Sequence, residues 1–400
     1  MKKIYITVLI IAILQMSIIE NSSAQASIQV IGAGATFPQP LIEYWGDIFA
    51  ELTAEYVTVS YGGGGSGNGI SQITENAVNF GASDAPLSKT EQENTNKDGK
   101  TILQIPETMG AVVPVYNIPS DKITGPLNLT ADIIAKIFQR QITTWSDSEI
   151  TIINPGLTST ADILVVHRSD KSGTTFAFTD YLDRASDLWT LGASKQPDWA
   201  TDTIGGNGNA GVASSVLAST NSIGYVELTY VLTNDLLSAH LKNKAGVFVA
   251  PSNAGVTAAA ASASVSLPAG DGDWSNISIA DQDGADVWPI STLTYLLVYK
   301  DQTSFGETGG ALVAFLTWLM TEEAQNLGID IGYAPLPNAT RTHNMNTINS
   351  IILEVGVNPL DYAPLDNIDG DAPGFEFISF LGIIILSIVL KINKKNRNKK

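Results

Sequence analysis

Apolar and polar positions follow two alternating periods through the body of the chain. Strand-like runs at Ser27–Ile31, Val57–Tyr61, Phe80–Asp84 and Ile163–His167 are separated by stretches with helical amphipathicity. The pattern predicts an open α/β protein. The first run leads into Gly32-Ala33-Gly34-Ala35-Thr36-Phe37, and Pro38 and Pro40 open a helix through about Leu52. The second leads into Gly62-Gly63-Gly64-Gly65-Ser66-Gly67-Asn68-Gly69 and a helix over about Ile70–Glu75. The run at 163–167 leads into Arg168-Ser169-Asp170-Lys171-Ser172-Gly173-Thr174-Thr175 and a helix over about Phe176–Leu182. Strand, small polar loop, helix therefore recurs three times, which aims helix N-termini with unpaired N–H groups at whatever lies above the strand ends. An anion site is the expected consequence. Two apolar extended segments, Ala111–Asn117 and Ile290–Tyr299, are the candidate crossings between two lobes, which would leave one lobe discontinuous in sequence. The Ala-rich patch Ala258–Ala263 is a helix or a surface loop.

The two ends read differently. Lys2 and Lys3, an apolar stretch over Tyr5–Ile19, polar Asn21–Ser23 and the small-residue pattern Ala24-Gln25-Ala26 make residues 1–26 a secretion signal with cleavage expected near Ser27. The alternative is an uncleaved N-terminal anchor. Residues 356–374, rich in acids, Pro and Gly, are expected to be a flexible stalk. Residues 375–400 follow with the apolar run Phe377–Leu390 and six bases among the last ten positions. The run is shorter than the ~20 residues of a full span, but the basic flank fits positive-inside placement and a snorkelling Lys391 extends its reach. Pro373-Gly374-Phe375 before an apolar run and a basic tail also resembles the C-terminal sorting signals of archaeal surface proteins, whose tail is cleaved and replaced by lipid. Either form of anchor places the body outside the cell, on the outer face of the membrane.

Composition narrows the partners. Of 40 acids and 22 bases, 38 acids but 14 bases fall within residues 27–374, so the body carries −24. A surface so acidic repels nucleic acid and anionic membranes. With 400 residues the chain has length for two or three domains. It has no cysteine, which excludes disulfides, thiolate metal sites, a cysteine nucleophile and a lipid-modified N-terminal cysteine. Sequons at Asn128, Asn276 and Asn338 are permitted glycan acceptors outside the cell.

Among candidate chemistries, Gly62-x-Gly64-x-x-Gly67 meets the dinucleotide template, but in a run this rich in glycine the match carries little, and an exported protein lacks the cofactor. Ile70 and Ser71 stand where a phosphate-cradling lysine loop requires Lys and Ser/Thr. His167, His240 and His343 show no zinc-ligand spacing. Ser172 as a nucleophile wants a base, yet His167 sits on the preceding strand and should point to the opposite face. The sharpest signal is Arg168-x-Asp170-x-Ser172-Gly173-Thr174: a guanidinium fork suits a tetrahedral oxyanion, Asp170 is placed to fix its pose, and hydroxyls and a bare N–H gather at a helix N-terminus. The competing reading is a surface salt bridge beside an ordinary capping turn.

Five ordered motifs, Gly32-Ala-Gly-Ala-Thr-Phe37, Gly65-Ser-Gly67, Phe80-Gly-Ala-Ser-Asp-Ala-Pro86, Arg168-x-Asp-x-Ser-Gly-Thr174 and Ile223-Gly-Tyr-Val-Glu227, together resemble the PstS-type phosphate-binding proteins of ABC phosphate importers, over about residues 28–345. The resemblance implies a two-lobed, hinged periplasmic-binding-protein type 2 fold: lobe I from 27–110 and 290–355, lobe II from 111–289, and phosphate clamped between them. It further implies a phosphate site in which Thr36 gives its hydroxyl, Phe37 its backbone N–H, and Ser66 both. Asp84 would accept a proton from the ligand. Arg168, held by Asp170, would grip an oxygen while Ser172, Gly173 and Thr174 close around the rest. Asp84 bears on selectivity, because a carboxylate aimed at an anion is repulsive unless the anion owns a proton, as phosphate does near neutral pH and sulfate does not. The competing reading of Asp84 is a helix cap before Ala85-Pro86. On this resemblance the protein is a monomer that delivers phosphate to a membrane permease, needs no cofactor or metal and performs no reaction. A secreted phosphoester hydrolase with the same cradle, or a surface adhesion protein, remains the alternative. The departures from the family pattern are the missing lipobox cysteine and the added C-terminal segment.

Overall fold

A computed structural model of the protein describes residues 27–263 and 266–364. The expected secretion signal, most of the stalk and the C-terminal segment with its basic tail lie outside the described residues. No helix among the described residues is long and apolar enough to cross a membrane.

The first three strand–loop–helix units assemble side by side. Strand β1 (Ile28–Gly34) precedes helix α1 (Gln39–Leu52), β2 (Val57–Gly62) precedes α2 (Ser66–Thr74), and β3 (Phe80–Ser83) precedes α3 (Lys89–Thr95). β1 lies between β2 and β3, parallel to both. Helix α2 begins at Ser66, four residues earlier than its apolar periodicity suggests, because its first turn is built of small residues. Gly69 is forced there: a Cβ would stand 2.6 Å from the Ala82 carbonyl and 2.8 Å from that of Ala33. Glycine thus lets the helix seat its N-terminus directly on β1 and β3.

The chain then enters the 16-residue strand β4 (Ile102–Asn117), buried along nearly its whole length. After it come β5 (Leu164–Arg168), α4 (Gly173–Ala185), β6 (Ile204–Gly206), α5 (Gly208–Ala218), β7 (Ser222–Glu227) and, much later, β8 (Ser291–Tyr299). The sheet runs β2-β1-β3-β8-β4-β7-β5-β6. β4 belongs to both halves: residues 102–111 pair with β8, and residues 112–117 pair with β7. The expected crossing at Ala111–Asn117 is therefore the second half of a strand that starts in the first lobe. The other expected crossing, Ile290–Tyr299, lies almost wholly in the first lobe as β8, and the chain passes between lobes where Val112 N–H donates to the Ile290 carbonyl (2.9 Å) and Trp288 Nε1–H to the Val112 carbonyl (3.1 Å).

Each lobe has its own aromatic core. Phe49 packs edge-on against Phe315 at 5.3 Å in the first, and Phe178 stacks on Tyr225 at 4.3 Å in the second. Burial of side chains this size contributes roughly 1.5–3 kcal/mol apiece, which makes both lobes firm platforms for the loops they carry. The Ala-rich patch is the end of a helix, Asn253–Ser262. The packed body runs to Pro364 rather than giving way to a stalk at Gly356: Pro359–Tyr362 forms a 3-10 turn, and Tyr362, 6% exposed, stacks on Tyr56 at 6.1 Å. Burying one aromatic ring outweighs the turn-forming composition of that stretch.

Candidate anion-binding site between the lobes

The three loops seen in the sequence converge where the lobes meet, and the buried hydroxyls, amides and guanidinium there are joined into one network. From the first lobe, Thr36, Ser66 and Asp84 are 8%, 0% and 1% exposed; from the second, Arg168 is 2% exposed and Thr174 fully buried. Arg168 is thus no surface residue. Its Nε donates to Asp170 Oδ1 (2.8 Å), its Nη2 to Asp170 Oδ2, and its Nη1 to Thr174 Oγ1 (3.2 Å). Burial alone would raise the Asp170 carboxyl, but the Arg168 guanidinium and the Gly208 N–H hold it below its usual range. Three bonds from two side chains hold the guanidinium fork in one pose.

Across the cleft, Thr174 Oγ1 donates to Asp84 Oδ2 (3.1 Å), and Ser66 Oγ accepts from Gly173 N–H (2.9 Å) and from Asp84 N–H (3.2 Å). Gly67 N–H donates to the Lys171 carbonyl at 2.9 Å. These bonds describe a closed cleft. Gly173 is required for it, since a Cβ there would lie 2.4 Å from Ser66 Oγ and 2.6 Å from Asp84 Cβ. Asp84 does not cap a helix: α3 starts later, capped by Ser88 in a capping box with Glu91. Asp84 Oδ1 is instead buried with no protein partner. Burial pushes the carboxyl up to about 7, against the opposing pull of Arg168 and the Thr174 hydroxyl.

Two sequence candidates sit differently from the rest. Ser172 Oγ accepts from Thr175 N–H (3.1 Å) and so caps α4, which is why that helix begins at Gly173 rather than Phe176. Phe37 is fully buried in the first-lobe core, its carbonyl accepting from Tyr333 OH (2.7 Å), while the peptide that carries its N–H is polarised by Tyr230 OH donating to the Thr36 carbonyl (2.8 Å). His167 stacks on Trp199 at 5.1 Å with Nδ1 donating to the Arg168 carbonyl (2.9 Å).

Sequence reasoning passed over Asn209. It is fully buried at the start of α5 and reaches Thr36 and Thr174 from the second lobe. The signal was present: β6, then Asn207-Gly208-Asn209, then a helix is the same strand–small loop–helix grammar a fourth time, in a strand of three residues too short to register by periodicity. It also passed over a contact at the cleft rim. Glu91 of α3 meets Lys195 Nζ at 2.6 Å and Lys171 Nζ at 2.9 Å, both from the second lobe. Burial would raise Glu91, but the two ammonium groups and the cap N–H outweigh it and hold the carboxyl at about 2.

Residues 20–323 match the family described as a PBP superfamily domain. The phosphate-binding protein PstS of Haemophilus influenzae is 38% identical over 317 residues, covering 78% of this chain and 90% of that protein. The chain belongs to the PstS family of phosphate-binding proteins. The PstS of Methanocaldococcus jannaschii is 35% identical over 347 residues, 83% of this chain and 88% of that relative. Solved structures agree on the fold: a periplasmic phosphate-binding protein (PfluDING) bound with phosphate superposes with a TM-score of 0.64 at 23% identity, covering 82% of this chain and 100% of that one. A phosphate-binding protein from Stenotrophomonas maltophilia gives 0.63 at 21% identity, over 84% and 98%. The fold of this PstS-family chain is thus the two-lobed α/β solute-binding type.

Proposed function

We propose that this protein is an extracytoplasmic receptor that closes on inorganic phosphate and delivers it to an ABC-type importer, catalysing no reaction. The observation that carries the reading is Asp84 Oδ1, a buried acceptor without a partner in a cleft otherwise furnished with donors. An oxyanion that brings its own proton completes that arrangement, and an oxyanion without one leaves carboxylate facing anion. Thr36, Phe37, Ser66 and Arg168 supply donors, Ser172, Gly173 and Thr174 close around the rest, and Asp170 holds Arg168 in place. Ligand binding that favours the closed form draws the two lobes together, with the division near residues 110 and 290. Export by residues 1–26 and anchoring by residues 375–400 complete the reading, with the protein acting as a monomer beside its permease.

Calorimetric titration of the purified protein with phosphate and with sulfate tests it. Saturable heat with phosphate and none with sulfate is expected; an equal response to both anions overturns the reading. The hydrolase alternative predicts product release from a chromogenic phosphoester, for which His167, turned to Trp199, supplies no base.

A further inference from the structure

Resting on the phosphate reading, we propose that Asn209 is a positioning residue that sets the direction in which the site's hydroxyl protons point. Its own orientation is fixed from behind. Glu227 N–H donates to Asn209 Oδ1 (3.1 Å), and a peptide N–H has no other role than donor, so Nδ2 must face the cleft. From there Nδ2 donates to Thr36 Oγ1 (3.1 Å) and to Thr174 Oγ1 (3.2 Å), using both amide protons.

A hydroxyl has two lone pairs and one proton. Thr36 Oγ1 accepts from Asn209 Nδ2 and also from Asn209 N–H (3.2 Å), which fills both lone pairs. Its remaining capacity is to donate. Thr174 Oγ1 accepts from Asn209 Nδ2 and Arg168 Nη1, so its proton must go outward, and it goes to Asp84 Oδ2. That leaves Asp84 Oδ1 as the acceptor for the ligand's proton. Ser66 is filled in the same manner by the N–H groups of Gly173 and Asp84. The chain from Glu227 N–H through Asn209 thus runs in one direction, by Thr36 toward the ligand and by Thr174 to the Asp84 carboxyl that faces it, and aligned hydrogen bonds of this kind strengthen one another. Asn209 fixes two of the three hydroxyls as donors, and because it spans from the second lobe to Thr36 of the first, it does so as the cleft closes.

The test is a set of phosphate titrations on the full-length protein, with unliganded melting temperature as the control for folding. Asn209→Ala frees both hydroxyls to rotate and should weaken phosphate binding roughly tenfold, the scale of one lost buried hydrogen bond in a coupled network. In a Thr36→Val background the same change should cost less than about threefold, because the Thr36 hydroxyl through which much of the effect acts is gone. Asn209→Asp keeps the shape but accepts where the amide donates, which turns the hydroxyls away from the ligand. It should bind worse than Asn209→Ala, and the excess should shrink in the Thr36→Val background, where added negative charge persists but the Thr36 hydroxyl is absent. Equal losses from Asn209→Ala in both backgrounds, or an Asn209→Asp protein that binds like wild type, overturns the assignment of Asn209. Absence of phosphate binding by the wild type overturns the parent reading instead.

Discussion

Replacing Asp84 by asparagine changes one acceptor atom to a donor and little else, and the network dictates which. Thr174 Oγ1 accepts from Arg168 and Asn209, so it must donate into position 84 and holds the asparagine oxygen at its 3.1 Å contact. The amide nitrogen then takes the place of Oδ1 and points a donor at the ligand. For phosphate, the ligand's proton loses its acceptor inside a closed cleft, which costs about 1–3 kcal/mol, or about 5- to 150-fold in affinity. For sulfate the change is favourable, since like charges forced together cost several kcal/mol and the variant removes one of them. Discrimination therefore narrows from both sides. Calorimetry with each anion on wild type and Asp84→Asn measures both limbs. A variant that keeps the full phosphate-over-sulfate ratio would falsify the role given to Oδ1, and one that loses binding of both anions together with its melting transition would indicate misfolding.

Three further outcomes follow from the geometry. Gly173→Ala places a methyl 2.4 Å from Ser66 Oγ and 2.6 Å from Asp84 Cβ, so phosphate affinity should fall by at least about a hundredfold while the unliganded protein melts as before, overpacking costs of about 1–3 kcal/mol adding to lost contacts. Glu91→Gln leaves Lys195, 8% exposed, without its counter-charge in the closed state; stopped-flow release of phosphate should quicken roughly tenfold or more, as expected when one partner of a buried charge pair is removed, and an unchanged release rate would count against the rim contact as a latch. Glu107, extra residue of a bulge between Pro106 and Thr108, has both oxygens buried without a well-formed hydrogen bond, and burial pushes it up to about 8 against the weaker pull of the Thr294 hydroxyl. A carboxyl raised in the folded state stabilises fully below its unfolded value and loses that contribution as pH climbs through the folded one, so the unfolding free energy of the wild type should fall between about pH 4.5 and 8 more steeply than that of Glu107→Gln, by an amount on the order of a few kcal/mol in denaturant titrations; parallel curves would refute this.

The parts of the site legible in sequence are those whose chemistry is local. Arg168 and Asp170 are two residues apart, and the loop glycines announce close approach by composition alone. The helix starts were read late at Ser66 and Gly173, because a first turn of small residues has no apolar period to detect. Asn209 and the Glu91–Lys195 contact depend on segments that meet only through the fold, the latter pair being separated by 104 positions. The extent of β4 is hidden for a related reason: it pairs with β8 over residues 102–111 and with β7 over 112–117, and a continuous apolar run gives no sign of where its partner changes. The bulge at Glu107 was equally silent. Nothing in a single carboxylate within an apolar strand says whether it will be neutral, paired or excluded.

That neutral state answers how a body of 38 acids and 14 bases offers an anion a favourable place. Glu107 and Glu227, both fully buried, are pushed up by burial, Glu227 well above its usual value and Glu107 to about 8, so near pH 7 Glu107 is largely uncharged. Asp84 stands at about 7 and shares a proton with its ligand on the proposed reading. Asp170 is ionised but cancelled by Arg168. The fixed charge beside the ligand thus sums to little, and attraction comes from oriented N–H and O–H dipoles held at contact distance by two packed lobes. Dipoles enclosed in a closed cleft are screened far less than surface charges. Phosphate affinity should therefore drop by less than about threefold between 0.05 and 0.5 M sodium chloride, where a surface charge patch would lose far more. A steep salt dependence in equilibrium titrations would move the source of affinity from the buried donors to the surface.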